Sequence, residues 1–237
     1  MKILILGDIH SLRKTATKLI EHAYANNDIV AILQVGDLGI GCDLPIWRKP
    51  SIMKHTALYY VDGNHDNYNV CVQENPVHGW LHHIDRGQAI GIGHYNILGC
   101  GGAYSIDHLS QAMHGTWWKE EEPTYAQWMT ILENTEKFSQ NTNIDVVVSH
   151  EFPISFNAFI NQIKKSKNSE RMRQGLQQML DIMTEKPKWW FFGHHHIRLQ
   201  GKTNSTQWVC VPDVRTGVYA TLDLNQNTLA WHTCKEK

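Results

Sequence analysis

The sequence predicts an α/β protein, and the first part of the chain carries most of the evidence. Residues 2–6 form an apolar run typical of a buried strand, and apolar residues then recur at helical spacing over residues 12–23. A second apolar run, residues 29–35, completes a β-α-β unit. Because such a crossover favours parallel pairing of its two strands, the opening of the chain predicts an α/β sheet.

The middle of the chain predicts a second sheet region. Residues 38–52 contain several Gly and Pro residues and predict a loop with a short helix, after which residues 57–61 form another buried strand. Three short runs separated by turn residues follow, at residues 80–84, 88–93 and 95–99. We expect these runs to be successive antiparallel strands rather than further crossovers.

The C-terminal half adds two helices and a set of strands. Thr124 and Gln127 have the spacing of a capping box and predict a helix start. A second helix is expected to begin at Ser169, and its stripe of Met and Leu side chains is typical of core packing. The acidic run at residues 119–122 is expected to be a solvated face or a helix start. The remaining runs predict strands at residues 145–149, 188–192, 208–211, 218–224 and 228–233.

Length and charge narrow the class of protein. The 237 residues contain no repeat, low-complexity tract or linker, which predicts one domain spanning residues 1–237. A formal net charge of -1 gives no long-range attraction to nucleic acid or anionic lipid. Gly7 and Asp8 interrupt the first apolar run too early for a signal peptide, and no run reaches the roughly 18 apolar residues that a membrane span needs.

The cysteines indicate the compartment. The chain has five of them, and they are scattered without Cys-x-x-Cys spacing. This pattern predicts neither a disulfide framework nor a thiolate zinc site. We therefore expect a cytoplasmic protein with no membrane partner.

Polar side chains follow five of the predicted strands. In chain order they are Asp8 and His10, Asp37, the run Asn64-His65-Asp66, His150, and the run His194-His195-His196. Because the carboxyl ends of neighbouring strands converge at one edge of a sheet, these side chains describe a site able to hold two cations.

Each group alone also has an ordinary interpretation. Asp8 and His10 could be a turn carboxylate and a surface histidine, and Asp37 could cap a helix or a turn. His150 could be a hydrogen-bonded core histidine, and residues 194–196 could be a polar tract. Five such coincidences at five strand ends are improbable, which favours one shared site.

The order of these motifs resembles the calcineurin-like metallophosphoesterase superfamily. Its signature is Asp-x-His, Gly-Asp, Gly-Asn-His-Asp/Glu, a lone His and Gly-His-x-His. The chain has Asp8-Ile9-His10, Gly36-Asp37, Gly63-Asn64-His65-Asp66, His150 and Gly193-His194-His195-His196. The resemblance extends from residue 5 to residue 196 and implies a two-sheet β-sandwich core flanked by helices, the four-layer α/β/β/α metallophosphoesterase fold.

The resemblance also implies a set of metal ligands. The implied ligands are Asp8, His10 and His196 for one ion, Asn64, His150 and His194 for the other, and Asp37 as the bridge. A carboxylate suits the bridging role because it has two oxygens to share between ions. Side chains alternate along an extended segment, so His194 and His196 are expected on one side and His195 on the other.

Nitrogen and oxygen ligands without a thiolate suit two transition metal ions, divalent or trivalent, with manganese favoured and iron, zinc or nickel as alternatives. The chemistry implied by the resemblance is attack on phosphorus by a metal-bound hydroxide. His65 would donate a proton to the leaving oxygen or stabilise the charge of a phosphorane-like state, and Asp66 would fix the tautomer of His65.

Departures from the protein Ser/Thr phosphatases of the superfamily bear on the substrate. Those enzymes typically have Gly and Glu where this chain has Ser11 and Asp66, and they have an Arg soon after the Gly-Asn-His motif, where this chain has Asn67-Tyr68-Asn69. The chain therefore resembles the small bacterial and phage phosphoesterases and the cyclic-nucleotide phosphodiesterases more closely.

Two segments are candidates for substrate contacts. Arg215 could contact a substrate phosphate or form a surface salt bridge. Residues 101–123 could cap the site, with Tyr104 and Asp107 towards the substrate and Trp117-Trp118 stacked on a base, or the tryptophans could only bury a loop.

The sequence thus predicts a dinuclear metal-dependent phosphoesterase, a hydrolase with phosphatase or phosphodiesterase activity on small, nucleotide-like phosphate esters. One alternative is a nuclease acting on polymeric nucleic acid, which the near-neutral charge disfavours. Another is a non-catalytic scaffold that keeps the fold, which the complete ligand set disfavours.

Overall fold

The computed structural model describes residues 1–42, 46–156 and 170–234, and its elements are as follows. The helices within these residues are α1 (Arg13–Asn26), α2 (Tyr68–Gln73), α3 (His108–Met113), α4 (Tyr125–Asn141) and α5 (Glu170–Ile182). The strands are β1 (Lys2–Leu6), β2 (Ile29–Gln34), β3 (Leu58–Tyr60), β4 (Leu81–His83), β5 (Ala89–Ile92), β6 (Tyr95–Cys100), β7 (Val146–Ser149), β8 (Trp189–Phe192), β9 (Leu199–Thr203), β10 (Thr206–Cys210), β11 (Val218–Asp223) and β12 (Thr228–Thr233). Short 3-10 helices lie at Ser51–Met53, Lys119–Glu121 and Val214–Thr216.

The strands form two mixed sheets of six strands each. The first has the order β12-β11-β1-β2-β3-β4. Strands β1 to β4 are parallel to one another, β11 pairs antiparallel with β1, and β12 pairs antiparallel with β11. The second has the order β5-β6-β7-β8-β10-β9, in which β6, β7, β8 and β10 are parallel and the edge strands are antiparallel. Parallel strands end at the same edge, so the loops that follow them lie side by side.

Strand β1 shows how the layers are joined. Leu4 and Leu6 belong to a buried cluster that includes the apolar face of α1. Ile3 and Ile5 point to the opposite face, as period two requires, and belong to a cluster with β7 and β8 of the second sheet. The other face of the second sheet packs against α4 and α5. The result is the predicted four-layer α/β/β/α sandwich.

The helix predictions for the second half are confirmed. Thr124 caps α4: its hydroxyl oxygen accepts from the Gln127 N–H, and the Gln127 side chain accepts from the Thr124 N–H. The apolar stripe of α5 is core, as predicted, with Met172, Leu176, Met179 and Leu180 buried. Ser169, the expected first residue of this helix, lies outside the described residues.

The expected pairing of residues 80–84 is wrong. Strand β4 pairs in parallel with β3 in the first sheet, and only β5 and β6 form the expected antiparallel hairpin. The connection from β3 to β4 contains α2 and is therefore a crossover. A helix of six residues is too short to show helical periodicity, so the sequence pattern did not reveal it.

Two further features concern the chain as a whole. Within the described residues, none of the five cysteines forms a disulfide. Among the described helices, none is long and apolar enough to cross a lipid bilayer.

Candidate metal centre

Seven predicted site residues meet at one edge of the two sheets. Asp8 and His10 follow β1, Asp37 follows β2, Asn64 follows β3, His150 follows β7, and His194 and His196 follow β8. Contacts across the sheets join them. The His194 N–H lies 3.2 and 3.1 Å from the two carboxylate oxygens of Asp8, and His150 Nδ1 lies 2.7 Å from the Val35 carbonyl oxygen. The strand-end pattern therefore corresponds to one place in the fold.

Four of these side chains turn their ligand atoms towards one point, which we call the first position. The members are Asp8, His10, Asp37 and His196, and one ligand atom from each lies within 4.8 Å of the others. His196 Nε2 lies 2.9 Å from His10 Nε2 and 3.0 Å from Asp8 Oδ2. Asp37 Oδ2, 3.7 Å from His10 Nε2, is buried without a hydrogen-bond partner. A buried oxygen of this kind is costly unless a cation neutralises it.

The remaining side chains lie on the other side of Asp37, and we call this the second position. Asp37 Oδ1 is 3.3 Å from His150 Nε2, and Asn64 Oδ1 is 3.2 Å from the same nitrogen. The His194 ring packs against His150 with 5.1 Å between ring centroids. Because Nδ1 of His150 is hydrogen-bonded to Val35, Nε2 is the ring nitrogen directed at this position, and it can bind a cation once it has released its proton.

The donor set fits transition metal ions. Imidazole nitrogens and carboxylate or amide oxygens without a thiolate suit borderline cations. Asp37 places one oxygen at each position, as a bridging carboxylate would. The role of each residue as a ligand stays a prediction.

The backbone at these positions is unusual. His10, Asp37, His194 and His196 all have positive φ, at 44°, 57°, 65° and 53°. Left-handed backbone is rare for residues other than Gly and Asn, and it concentrates at functional sites. The segment of residues 194–196 is thus a tight turn rather than the extended segment expected. His195 still points away, as predicted, because its Nε2 lies 3.0 Å from Oε1 of the buried Glu151.

Two glycines make room for the cluster. A Cβ at Gly36 would lie 2.3 Å from His150 Nδ1, and a Cβ at Gly193 would lie 2.2 Å from Asp8 Oδ1. Gly36 also has a φ of 101°, which other residues rarely adopt. The glycines in the Gly-Asp and Gly-His motifs therefore permit side chains from neighbouring strands to approach the backbone.

Burial and the neighbouring carboxylates shift the pKa values of the site histidines in opposite directions. Burial lowers the pKa of His194 to about 3 and also lowers the pKa of His10, which favours neutral imidazoles able to bind a cation. Burial acts in the same direction on His150, but the charge of Asp37 outweighs it and raises the pKa of His150 to about 10. The hydrogen bond to Asp8 raises the pKa of His196. The carboxylates thus attract positive charge to both positions.

His65 lies beside the first position. Its ring packs edge-on against His10 with 5.0 Å between centroids, and its backbone N–H donates to Asp37 Oδ1 at 2.8 Å. The ring is half-buried and so can reach a molecule bound at the site.

Asp66 has a different set of partners from the one expected. Its two oxygens accept four backbone N–H groups, from Leu38, Gly39, Ile40 and Gly63, at 2.6 to 3.1 Å. Within the described residues no hydrogen bond joins Asp66 to the His65 ring. Asp66 instead ties the loop after Asp37 to the loop that carries Asn64, because its carboxylate satisfies backbone donors on both.

The predicted substrate-binding residues form ion pairs or hydrogen bonds with residues close to them in the sequence. Arg215 forms an ion pair with Asp213 at 2.7 Å while its side chain is 57% exposed, which matches the salt-bridge interpretation. Asp213 Oδ2 in turn lies 3.6 Å from His196 Nδ1. The Tyr104 hydroxyl lies 3.2 Å from His108 Nδ1, and Asp107 accepts from Gln111. A contact of these three with substrate stays a prediction, as does the cap at residues 101–123.

Two buried groups near the site were missed by sequence reasoning. Glu121, expected in a solvated face or a helix start, lies in a short 3-10 helix but is buried, and it accepts from the backbone and hydroxyl of Ser105. Asp62, just before the Gly-Asn-His motif, accepts from Arg86 and His83. Although burial opposes it, Arg86 holds the pKa of Asp62 well below its usual range. The sequence contained one indication that Asp62 lies near the site, which is its position directly after a predicted strand.

Similarity to known proteins extends over most of the chain. A sequence model of the calcineurin-like phosphoesterases matches residues 1–198. No curated protein matches the sequence significantly.

Solved structures share the fold at low sequence identity. The protein TT1561 of Thermus thermophilus is 16% identical, with 98% of each chain covered and a TM-score of 0.57. GAP50, the anchor in the inner membrane complex of Plasmodium, is 12% identical over 98% of this chain and 83% of its own, with a TM-score of 0.58. Phosphopantetheinyl hydrolase from Mycobacterium tuberculosis is 14% identical over 90% of each chain, with a TM-score of 0.55. At these identities the likeness concerns the fold alone.

Proposed function

The chain belongs to the calcineurin-like phosphoesterase family and is a metal-dependent hydrolase of phosphate esters, and from this premise we propose that it uses two metal ions and acts on small substrates. The substrates are phosphomonoesters or phosphodiesters, nucleotides included. The ions are transition metals, with manganese favoured.

One observation carries the proposal. The carboxylate of Asp37 stands between two groups of ligand atoms, with Oδ2 towards His10 and Oδ1 towards His150. A site for one ion would need only one of these groups. The buried and unpaired Oδ2 of Asp37 supports cation binding at the first position, and Nε2 of His150, which is directed at the second position beside Asp37 Oδ1, supports it there.

The residues divide into two sets of ligands that share Asp37. Asp8, His10 and His196 would hold the ion at the first position, and Asn64, His150 and His194 the ion at the second. When bound, two such ions supply Lewis acidity that activates water and stabilises the charge of the phosphoryl oxygens. The chain needs no serine or cysteine nucleophile for this chemistry.

His65 supplies the proton for the leaving group. Its half-buried ring lies against His10, and the bond from its backbone N–H to Asp37 fixes the start of the side chain. A proton donor in this place can protonate the departing oxygen, which is the usual task of an imidazole acid. Asp66 acts at a distance from the reaction by holding the loops of Asp37 and Asn64 together.

The substrate class rests on charge. A net charge of -1 supplies no attraction for a long polyanion, whereas a small ester needs only the ions and a few side chains. This favours small esters over polymeric nucleic acid.

A substrate panel tests the proposal. The purified chain, reconstituted with Mn²⁺, is assayed with para-nitrophenyl phosphate, bis-para-nitrophenyl phosphate, cyclic nucleotides and oligonucleotides, and Asp37→Asn serves as the control for contaminating phosphatases. We expect hydrolysis of at least one small ester and little cleavage of oligonucleotides. Faster cleavage of oligonucleotides would favour a nuclease, and no hydrolysis of any substrate by a chain that holds two ions would favour a scaffold.

A further inference from the structure

The segment between β6 and α4 contacts the metal centre through Ser105. The side-chain Nδ2 of Asn64 donates to Ser105 Oγ at 3.0 Å, and both residues are buried. On the other side of the hydroxyl, Ser105 Oγ lies 2.5 Å from Oε2 of the buried Glu121. Asn64, Ser105 and Glu121 thus form a continuous chain of hydrogen bonds that ends at the second position.

The directions of these bonds follow from the number of protons. A serine hydroxyl has one proton to donate, and a carboxylate can only accept. The short bond to Glu121 Oε2 uses that proton, since the competing Gln111 Oε1 is farther away at 3.2 Å. The Ser105 oxygen can then only accept from Asn64, which must present its NH₂ group.

The orientation of the Asn64 amide decides whether this residue can bind a cation. The two ends of an amide have nearly the same size but opposite polarity, and only the oxygen can act as a metal ligand. With Nδ2 held by Ser105, Oδ1 faces the second position, 3.2 Å from His150 Nε2. A flipped amide would direct two N–H donors at the cation.

Glu121 is itself held in place. Its Oε1 accepts from the Ser105 N–H at 3.2 Å, so that the carboxylate binds one residue twice. The Arg86 guanidinium donates to the carbonyl oxygens of Glu120 and Glu121 at 2.8 and 3.3 Å, and it is anchored by Asp62. This network fixes the carboxylate relative to the loop that carries Asn64.

We propose that Glu121 and Ser105 are positioning residues that orient the Asn64 amide, with its oxygen towards the ion at the second position. The inference rests on the proposed function, because it assumes that an ion is held there. It assigns a task to the segment of residues 101–123 that differs from a cap over the substrate: the segment sets the affinity of one of two ions.

The test uses Glu121→Gln, which keeps the shape of the side chain. A glutamine amide can donate to Ser105 Oγ, which frees the hydroxyl proton for Asn64 Oδ1 and favours the flipped amide. Equilibrium dialysis against Mn²⁺ with metal analysis should show the affinity of one ion falling about 10- to 100-fold while the other is retained. Glu120→Gln is the matched control, since only the backbone of Glu120 takes part in the network, and it should bind like the wild type. Circular dichroism and thermal unfolding check that each variant is folded.

A second variant, Asn64→Asp, distinguishes a change in the orientation of the Asn64 amide from a general loss of structure at the site. In Asn64→Asp the two carboxylate oxygens are equivalent, so a flip has no consequence. Adding Glu121→Gln to Asn64→Asp should therefore cause no further loss of metal. The inference is overturned if Glu121→Gln binds both ions as tightly as Glu120→Gln does. It is also overturned if Glu121→Gln lowers the metal affinity of Asn64→Asp as much as it lowers that of the wild type. A wild type that holds fewer than two ions would instead overturn the proposed function, and the inference with it.

Discussion

Nε2 of His10 lies 2.9 Å from Nε2 of His196, and both nitrogens face the carboxylate of Asp8. Two imidazole nitrogens and two carboxylate groups directed at one point form an arrangement that a cation stabilises, because it neutralises the carboxylates and accepts both lone pairs.

Asp37→Asn should weaken the binding of both ions, whereas His10→Ala should chiefly weaken one. Asp37 reaches both positions through separate oxygens, and His10 reaches only the first. Metal analysis after dialysis gives the stoichiometry of each variant. Equal losses in the two variants would show that Asp37 does not bridge.

His65→Ala should keep the metal and the fold but lower turnover, and general acid catalysis of this kind typically contributes ~10²- to 10⁴-fold. The loss should be larger for an alkyl ester than for a nitrophenyl ester of the same phosphate, because nitrophenolate leaves readily without a proton. Rates on the two esters, measured with metal content, check this. The same loss on both would remove His65 from the acid role.

Gly36→Ala should destabilise the fold by about 1–3 kcal/mol, the cost of strained backbone, and reduce metal binding. The new Cβ would collide with the His150 ring, which is bonded to the Val35 carbonyl. Gly91→Ala is the control, because nothing lies within 4 Å of its added Cβ. Urea unfolding and metal analysis of both variants provide the comparison. Equal free energies of unfolding and equal metal contents in the two variants would contradict a collision between the new Cβ and His150.

Asp62→Asn should lower the free energy of unfolding at neutral pH by about 3–5 kcal/mol, because it leaves Arg86 buried without a counter-charge. The pKa of Asp62 is depressed in the folded chain, so its stabilisation is present above the unfolded pKa of about 3.9 and is lost as the pH falls through the folded pKa. The difference in free energy of unfolding between wild type and variant should therefore become smaller below about pH 4. Urea titrations at about pH 7 and about pH 3.5, on either side of that unfolded pKa, measure it. A gap that is constant or grows on acidification would be inconsistent with the ion pair.

The fold and the position of the site were largely predictable from the sequence. The α/β class and the position of the site depend on local patterns: the apolar runs that form β1, β2, β3, β7 and β8, and the polar residues placed directly after them. The four-layer arrangement was implied by the resemblance to the family. Since parallel strands bring these ends to one edge, residues as distant as Asp8 and His196 could be expected together.

The partner strand of β4 and the partners of Asp66 and Glu121 were not predictable. The three residues of β4 have no feature that distinguishes a parallel from an antiparallel partner. The partners of Asp66 are backbone N–H groups, which every residue but proline has, so no side-chain pattern marks them. Glu121 resembles its half-buried acidic neighbours in sequence, and only the fold brings Ser105 to it.

Metal removal tests the central claim most directly. The purified chain is stripped with a chelator, dialysed, and titrated with Mn²⁺ while bound metal and hydrolysis of a nitrophenyl phosphate ester are measured on the same samples. We predict that stripping abolishes hydrolysis and that activity returns as two ions bind per chain. Hydrolysis that survives complete removal of metal, or activity that is complete with one ion bound, would contradict the account.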